Sequence, residues 1–347
     1  MVVLGIETSC DETAASVVEN GRILSSIVSS SVHLHRKYGG VIPEVASRFH
    51  IEYINKVTRK ALKAAGKRVG NPDCIAVTDS PGLLGSLLAG LSFARALSYA
   101  LNKPLVSVNH LHAHLFANFL VKDAQKPVFP FVGVVVSGGH TNIFICNSFE
   151  DLNIIGKTKD DAVGEAFDKV AKILGIGYPG GPEIEKFARK FSGKSPIAFP
   201  RVYLDKDSFD FSLSGIKTAV LYHVRNRKMS KRDISRVSWS FQEAVFDVLA
   251  GKVIKACRKF DIKRVVMGGG VISNMTLRAK LKQACRNMGY VLHYPPPGLC
   301  VDNAAMVGGL GEIIAKRGGT NDEEKERRGT EGKDSGRGCQ HARDVNL

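Results

Sequence analysis

Val132-Gly133-Val134-Val135-Val136 runs directly into Ser137-Gly138-Gly139-His140-Thr141, and a second apolar run, Asn142 to Cys146, follows (residues 132–146). An apolar run, a small polar turn and another apolar run read as a β-hairpin. About 130 residues earlier the same order occurs: Val2-Val3-Leu4-Gly5-Ile6 leads into Glu7-Thr8-Ser9-Cys10-Asp11-Glu12-Thr13, and Ala14 to Val18 begins the next strand. Apolar hairpins are common, but two of them so spaced predict two related lobes, each aiming a turn at a shared cleft.

The chain around them alternates strand-like and amphipathic segments, the pattern of an α/β protein. Further strands are expected at Cys74 to Thr78, Pro104 to Val108 and Arg264 to Met267. Apolar residues at spacings of three and four predict helices at His50 to Ala65, Leu83 to Leu101, Ala162 to Leu174, Ser238 to Phe260 and Met275 to Met288. Residues 316–347 break the pattern. They hold six glycines, eight Lys or Arg, seven Asp or Glu and no aromatic residue, which predicts a disordered tail.

With 347 residues, of which 44% are hydrophobic, the chain can bury enough surface to order itself, and its length, somewhat more than one typical domain, predicts two. A membrane protein is not expected: the most apolar long stretch, Leu83 to Leu101, carries Arg95. Glu7, Asp11 and Glu12 lie where a signal peptide would need an apolar core, so a cytoplasmic location is expected. Seven cysteines, odd in number and with no C-x-x-C pair, read as reduced thiols. The formal charge is +16, and all but about one unit of it belongs to residues 1–315. Such an excess favours a polyanionic partner; a plain solubility surplus is the alternative.

Three groups of residues carry chemistry. In Asn109-His110-Leu111-His112-Ala113-His114, which follows a strand, His110 and His114 are four apart and share one helical face, a spacing that suits a divalent metal. The zinc-protease motif needs Glu after the first histidine, and Leu111 stands there; a polar helix start with incidental histidines is the plainer reading. Asp302, between Pro295-Pro296-Pro297-Gly298 and a small-residue helix, is either a third ligand or that helix's N-cap. The second group is the glycine-rich turns: residues 137–141, Tyr178-Pro179-Gly180-Gly181-Pro182 and Gly268-Gly269-Gly270-Val271-Ile272-Ser273-Asn274. They fit neither a P-loop nor a Rossmann fingerprint but can bring backbone N–H groups to phosphate, with Asp168 and Glu185 nearby as ribose or base ligands. The third group is basic: Arg225 to Arg232, Arg258-Lys259 with Lys263-Arg264, and Arg278, Lys280, Lys282 and Arg286, either solvated faces or phosphate-backbone contacts. No acyl-transfer nucleophile stands out, since Ser137 lacks the G-x-S-x-G elbow and Cys10 has no obvious histidine.

Taken in order, Gly5 to Thr13, Gly39-Gly40-Val41-Ile42-Pro43-Glu44, Asn109-His110 with His114, Ser137 to Thr141, Phe211-Ser212-Leu213-Ser214-Gly215-Ile216-Lys217-Thr218, and Gly268-Gly269-Gly270-Val271 with Asn274 resemble the tRNA N6-adenosine threonylcarbamoyltransferases. The likeness covers about residues 1–315; Ser212-Leu213-Ser214 departs slightly from the family's Phe-Ser-Phe-Ser-Gly run. It implies an actin-like ATPase (ASKHA) fold, with 1–125 as one lobe rejoined by 296–315 and 126–295 as the other. It implies that His110, His114 and Asp302 hold one divalent metal, iron or zinc. It implies further that Val136, Ser137, Gly138, Gly139, His140, Asp168, Gly181, Glu185 and Asn274 hold threonylcarbamoyl-AMP, or AMP or ATP. The reaction implied is attack by the N6 amine of the adenosine 3′ to the anticodon, in tRNAs reading ANN codons, with release of AMP; Asp11, Glu12 or solvent would take the proton. Implied partners are tRNA and, in bacteria, accessory proteins of the TsaB and TsaE type. A metal-dependent O-carbamoyltransferase, a sugar kinase and a non-catalytic actin-like scaffold are the rivals: kinases lack the histidine pair, such carbamoyltransferases carry extra domains, and scaffolds lose metal ligands.

Overall fold

The computed structural model describes residues 1–318 apart from Asp123, Lys194 and Lys206; from Gly319 onward the expected disordered tail lies outside the described residues, as does Cys339. One sheet holds β1 (Val2–Glu7), β2 (Glu12–Glu19), β3 (Arg22–Ser30), β4 (Cys74–Ser80) and β5 (Leu105–Asn109), in the order β3-β2-β1-β4-β5. A second holds β6 (Phe131–Val136), β7 (Thr141–Cys146), β8 (Leu152–Lys157), β9 (Arg264–Gly268) and β10 (Val291–His293), in the order β10-β9-β6-β7-β8. In both, the first three strands form an antiparallel meander and the last two add in parallel to the other side of the first. The two quoted hairpins are β1–β2 and β6–β7, and they hold equivalent places in two sheets of one topology.

Sequence periodicity missed β3, β8 and β10. All three lie on sheet edges, where exposed or half-exposed positions such as Ser26, Ser29, Asn153 and Lys157 replace the continuous apolar runs of β1 and β6. Two helices start earlier than their apolar stripes. Pro43–Ala64 opens on Pro43, whose fixed φ suits a first helical turn. Lys231–Lys259 opens on a capping box, Ser230 accepting from the Asp233 N–H while Asp233 accepts from the Ser230 N–H. By length and composition Leu84–Leu101 is apolar enough to cross a membrane despite Arg95. Its Ala94, however, packs with Leu4, Ile6, Ile75 and Val77 of the first sheet and Ile54 of helix Pro43–Ala64, with Leu91 and Leu97 partly buried beside them.

Helix His110–Phe116 lies where the two sheets meet. Its Ala113 and Phe116 join Val3, Ala76 and Val108 of the first sheet, while Leu111 and Leu115 join Phe131, Val135, Phe144 and Val266 of the second. Two faces are thereby consumed by cores, and the remaining face carries His110 and His114. Helix Ala304–Lys316 returns to cover the first sheet through Ala305, Met306, Val307 and Leu310. It approaches so closely that a Cβ at Gly5 would sit 2.3 Å from the Ala304 carbonyl oxygen, which is why β1 needs glycine there. The N-cap of that helix is Asn303, whose Oδ1 accepts from the Met306 N–H, so Asp302 is not spent on capping.

Candidate functional site

A cleft of about 500 Å³ opens between the β1–β2 turn, the β6–β7 turn, the start of helix Gly180–Ala188 and the Gly270–Val271 segment. Of the residues expected to bind or react, Asp11, Glu12, His110, Ser137, Gly138, Gly139, His140, Asp168, Gly181 and Asp302 line it. Four do not. His114 lies deeper and is fully buried, and Val136 is buried in β6. Glu185 accepts from the Met275 N–H and from Arg189. Asn274 caps helix Met275–Asn287 with Oδ1 and donates from Nδ2 to Gln242.

One end of the cleft is a histidine and carboxylate cluster. One ligand atom each from His110, His114 and Asp302 lies within 4.8 Å of the others, with Asp302 Oδ1 3.1 Å from His114 Nε2 and 3.6 Å from His110 Nε2. Behind it stands Glu7, which no motif in the sequence had singled out as a site residue. This fully buried carboxylate accepts from the Ser9 N–H at 2.5 Å, the Thr78 hydroxyl at 2.6 Å and His110 Nδ1 at 3.0 Å. A histidine whose Nδ1–H is bound to a carboxylate presents Nε2 as a lone pair, the orientation that metal-binding histidines use. The available signal was a lone acid ending an apolar strand, which reads equally well as the start of a turn.

Two observations fit a divalent ion here. His114 is buried, yet neither of its ring nitrogens has a hydrogen-bond partner, although Nε2 is only 3.1 Å from a carboxylate oxygen. Buried polar atoms rarely go unpaired, and a cation shared by the two imidazoles and Asp302 satisfies the contact that hydrogen-bond angles do not. The charges agree: burial lowers His110, but Glu7 and then Asp302 outweigh it and raise it to about 9. Asp302 is held well below the usual carboxylate range, burial being overcome by His110 and His114. Two acids around these imidazoles leave a site that favours positive charge.

The wall built from the β6–β7 turn, Gly181 and Gly270 is mostly neutral backbone. The β6–β7 turn is closed by Ser137 N–H donating to His140 O at 2.8 Å and His140 N–H donating to Ser137 Oγ at 3.2 Å. A Cβ built at Gly138, Gly139, Gly181 or Gly270 would meet nothing within 4 Å, so packing does not demand glycine at any of these cleft positions. Gly269 beside them differs: its φ is +96° and a Cβ would lie 2.3 Å from Val136 O. The open glycines leave room for a ligand to reach backbone N–H groups. Ser9 Oγ lies 3.2 Å from His110 Nδ1, but that nitrogen is bound to Glu7 at 3.0 Å and so is not free to act as its base. Burial, with Asp11 and Asp302 adding to it, pushes the Cys10 thiol well up, and burial with His110 drops His140 to about 4. Glu12 is raised well above the usual carboxylate range by burial, Asp11 and Asp302, and Asp168 is raised to about 6, chiefly by burial.

The basic clusters divide. Arg225, Arg227, Lys228, Lys231 and Arg232 are exposed. Arg278 and Lys280 are half-buried and already engaged, Lys280 with Glu243 and Asp247 and Arg278 with backbone carbonyls, so of that cluster Lys282 and Arg286 are the exposed members.

The family model described as tRNA N6-adenosine threonylcarbamoyltransferase matches residues 22–309. A protein of that description from Dictyoglomus turgidum is 49% identical over 321 residues, covering 92% of this chain and 95% of its own length. One from Bacillus subtilis is 47% identical over 322 residues, covering 92% of each.

The chain belongs to the tRNA N6-adenosine threonylcarbamoyltransferase family.

Solved structures place the family's fold. Full-length HypF in a phosphate- and nucleotide-bound form superposes with a TM-score of 0.58 at 14% identity, over 90% of this chain and 46% of that one. The ROK hexokinase from Thermus thermophilus gives 0.50 at 18% identity, over 92% and 100%. At such identity the likeness concerns the fold: the actin-like ATPase architecture, in which one sheet topology occurs twice around a cleft. Membership of the family sets aside the O-carbamoyltransferase, sugar kinase and scaffold readings.

Proposed function

We propose that this cleft transfers a threonylcarbamoyl group from threonylcarbamoyl-AMP to the N6 amine of the adenosine 3′ to the anticodon, with AMP as the leaving group. The observation that carries the reading is the pairing, in one cleft, of a buried two-histidine, one-carboxylate cluster with four glycines, Gly138, Gly139, Gly181 and Gly270, that no packing requires. The open N–H groups around Gly138, Gly139 and Gly181 suit the phosphate of an adenylate, and the Tyr178-Pro179 segment supplies an apolar flank. A mixed anhydride is already activated, which agrees with a cleft that raises its one thiol and commits His110 Nδ1, the ring nitrogen nearest Ser9 Oγ, to Glu7.

His110, His114 and Asp302 would hold the divalent ion, iron or zinc. When bound, such an ion supplies Lewis-acid polarisation of an oxygen, a contribution of several kcal/mol. Glu7 keeps His110 in the tautomer whose Nε2 faces Asp302. The cleft holds both reactants in line, which removes much of the entropic barrier to transfer. Asp11 and Glu12 line the cleft; burial and the neighbouring carboxylates favour a proton already resting on Glu12, so the proton leaving the amine goes to Asp11 or to solvent. The exposed Arg225 to Arg232 stretch is the proposed tRNA backbone contact.

The test is transfer of labelled threonine to unmodified tRNA by this chain, in the presence of a threonylcarbamoyl-AMP generator and accessory proteins. Incorporation at that adenosine, lost when it is replaced by guanosine, supports the reading; no incorporation with an intact generator overturns it.

A further inference from the structure

Asp302 sits on the connector that leaves β10, passes Pro295-Pro296-Pro297 and enters helix Ala304–Lys316, so the carboxylate belongs to the crossing between the sheets. One end of the connector is tied by Asn303, whose Nδ2 donates to Val301 O at 2.8 Å. The other end is tied by Arg278. From helix Met275–Asn287 its Nε donates to Ile272 O at 2.6 Å, while Nη2 donates to Pro295 O at 3.1 Å and reaches Cys300 Sγ at 3.3 Å. Its guanidinium lies 4.6 Å from the centre of the Tyr294 ring. Cys300 is fully buried and donates its thiol hydrogen to Pro295 O at 3.3 Å.

The partners of this guanidinium are carbonyls, a thiol and a ring, and among the described residues it forms no ion pair. Partial burial of a cation without a carboxylate costs desolvation, offset by these hydrogen bonds and the ring contact, and what the guanidinium adds is geometric. The planar fork spans two chain segments at once, as an ammonium point charge cannot. Those segments are Gly270–Ser273, whose Gly270 and Val271 line the cleft, and Tyr294–Cys300, which ends two residues before Asp302.

We propose that Arg278 is a positioning residue: it locks the connector carrying Asp302 to the glycine-rich wall, setting the distance between the histidine and carboxylate cluster and the ligand-facing backbone. This rests on the metal reading of His110, His114 and Asp302. The test uses full-length chain, Zn²⁺ as probe, and the variants Arg278→Lys and Tyr294→Leu. Titration of metal-stripped protein should show Zn²⁺ affinity at least tenfold weaker in Arg278→Lys, with kcat for transfer reduced alongside. Tyr294→Leu, which removes the stack but keeps the hydrogen bonds, should stay within about threefold of wild type in Zn²⁺ affinity. The salt dependence of tRNA binding should be unchanged in Arg278→Lys. Wild-type Zn²⁺ affinity in Arg278→Lys overturns the proposal, as does an equal loss in Tyr294→Leu, which would make the role general packing, or a shallower salt slope, which would make Arg278 a phosphate contact. Wild-type protein that fails to bind Zn²⁺ takes down the metal reading itself, and this inference with it.

Discussion

The β1–β2 turn and the β6–β7 turn occupy the same place in two sheets of the same topology, yet they present opposite chemistry to one cleft. The first offers side chains: Ser9, Cys10, Asp11 and Glu12, with Glu7 behind them fixing His110. The second offers almost none, its Gly138 and Gly139 exposing backbone N–H groups at positions where a Cβ would find empty space. A duplicated fold can thus divide labour, one copy concentrating negative charge where a cation suits it and the other staying bare where an anion must approach.

The largest expected effect comes from breaking the charged side. His114→Ala should abolish stoichiometric metal and lower transfer at least a hundredfold, the scale of a contribution worth several kcal/mol, while circular dichroism stays native. Full transfer by metal-free His110→Ala/His114→Ala protein would remove the distinction between the two turns.

Asp168, between the two walls, gives a pH prediction. Its folded pKa of about 6 lies above the ordinary value near 4, so the associated stability is fully present below about pH 4 and is lost as pH rises through 6. Asp168→Asn keeps an acceptor for the Gly180 N–H and should not show this loss. The stability difference between variant and wild type should therefore shift by about 2 kcal/mol in the variant's favour from pH 4 to pH 7.5. Urea unfolding at the two pH values measures it, and a constant difference would mean that Asp168 is solvated.

The bare side is tested by comparing two glycines. Gly139→Val should fold normally but weaken AMP binding at least tenfold, about 1.4 kcal/mol, with metal content unchanged. Gly5→Val should do the reverse, losing fold stability because its Cβ meets Ala304 O and Gly308 N. Calorimetry giving Gly139→Val the AMP affinity of wild type would show that the open glycines face no ligand.

The smallest effect lies outside the cleft. Reversing Arg225, Arg227 and Lys228 to Glu should flatten the salt dependence of tRNA binding by roughly 0.7 to 0.9 in log–log slope per lost phosphate contact, leaving metal and AMP binding alone. An unchanged slope in a filter-binding series means that these side chains do not touch RNA.

The central strands and the hairpin echo were legible because continuous apolar runs ending in small polar turns have few other uses. The sharing of one helical face by His110 and His114 was legible too, because a helix repeats every 3.6 residues. Edge strands β3 and β8 were not, since half-exposed positions dilute the period. Composition alone likewise counted Arg278 with its exposed neighbours. Only the tertiary structure decided that Asn303 caps its helix while Asp302 turns to the histidines, that Glu7 stands behind His110, and that Gly138 and Gly5 are glycines for different reasons. The Asn303 cap is local, but the Glu7–His110, Asp302–His114 and Gly5–Ala304 contacts join residues about a hundred or more positions apart. Local sequence determines which elements form and which faces they bury; where a buried charge finds its partner is settled only when those faces pack.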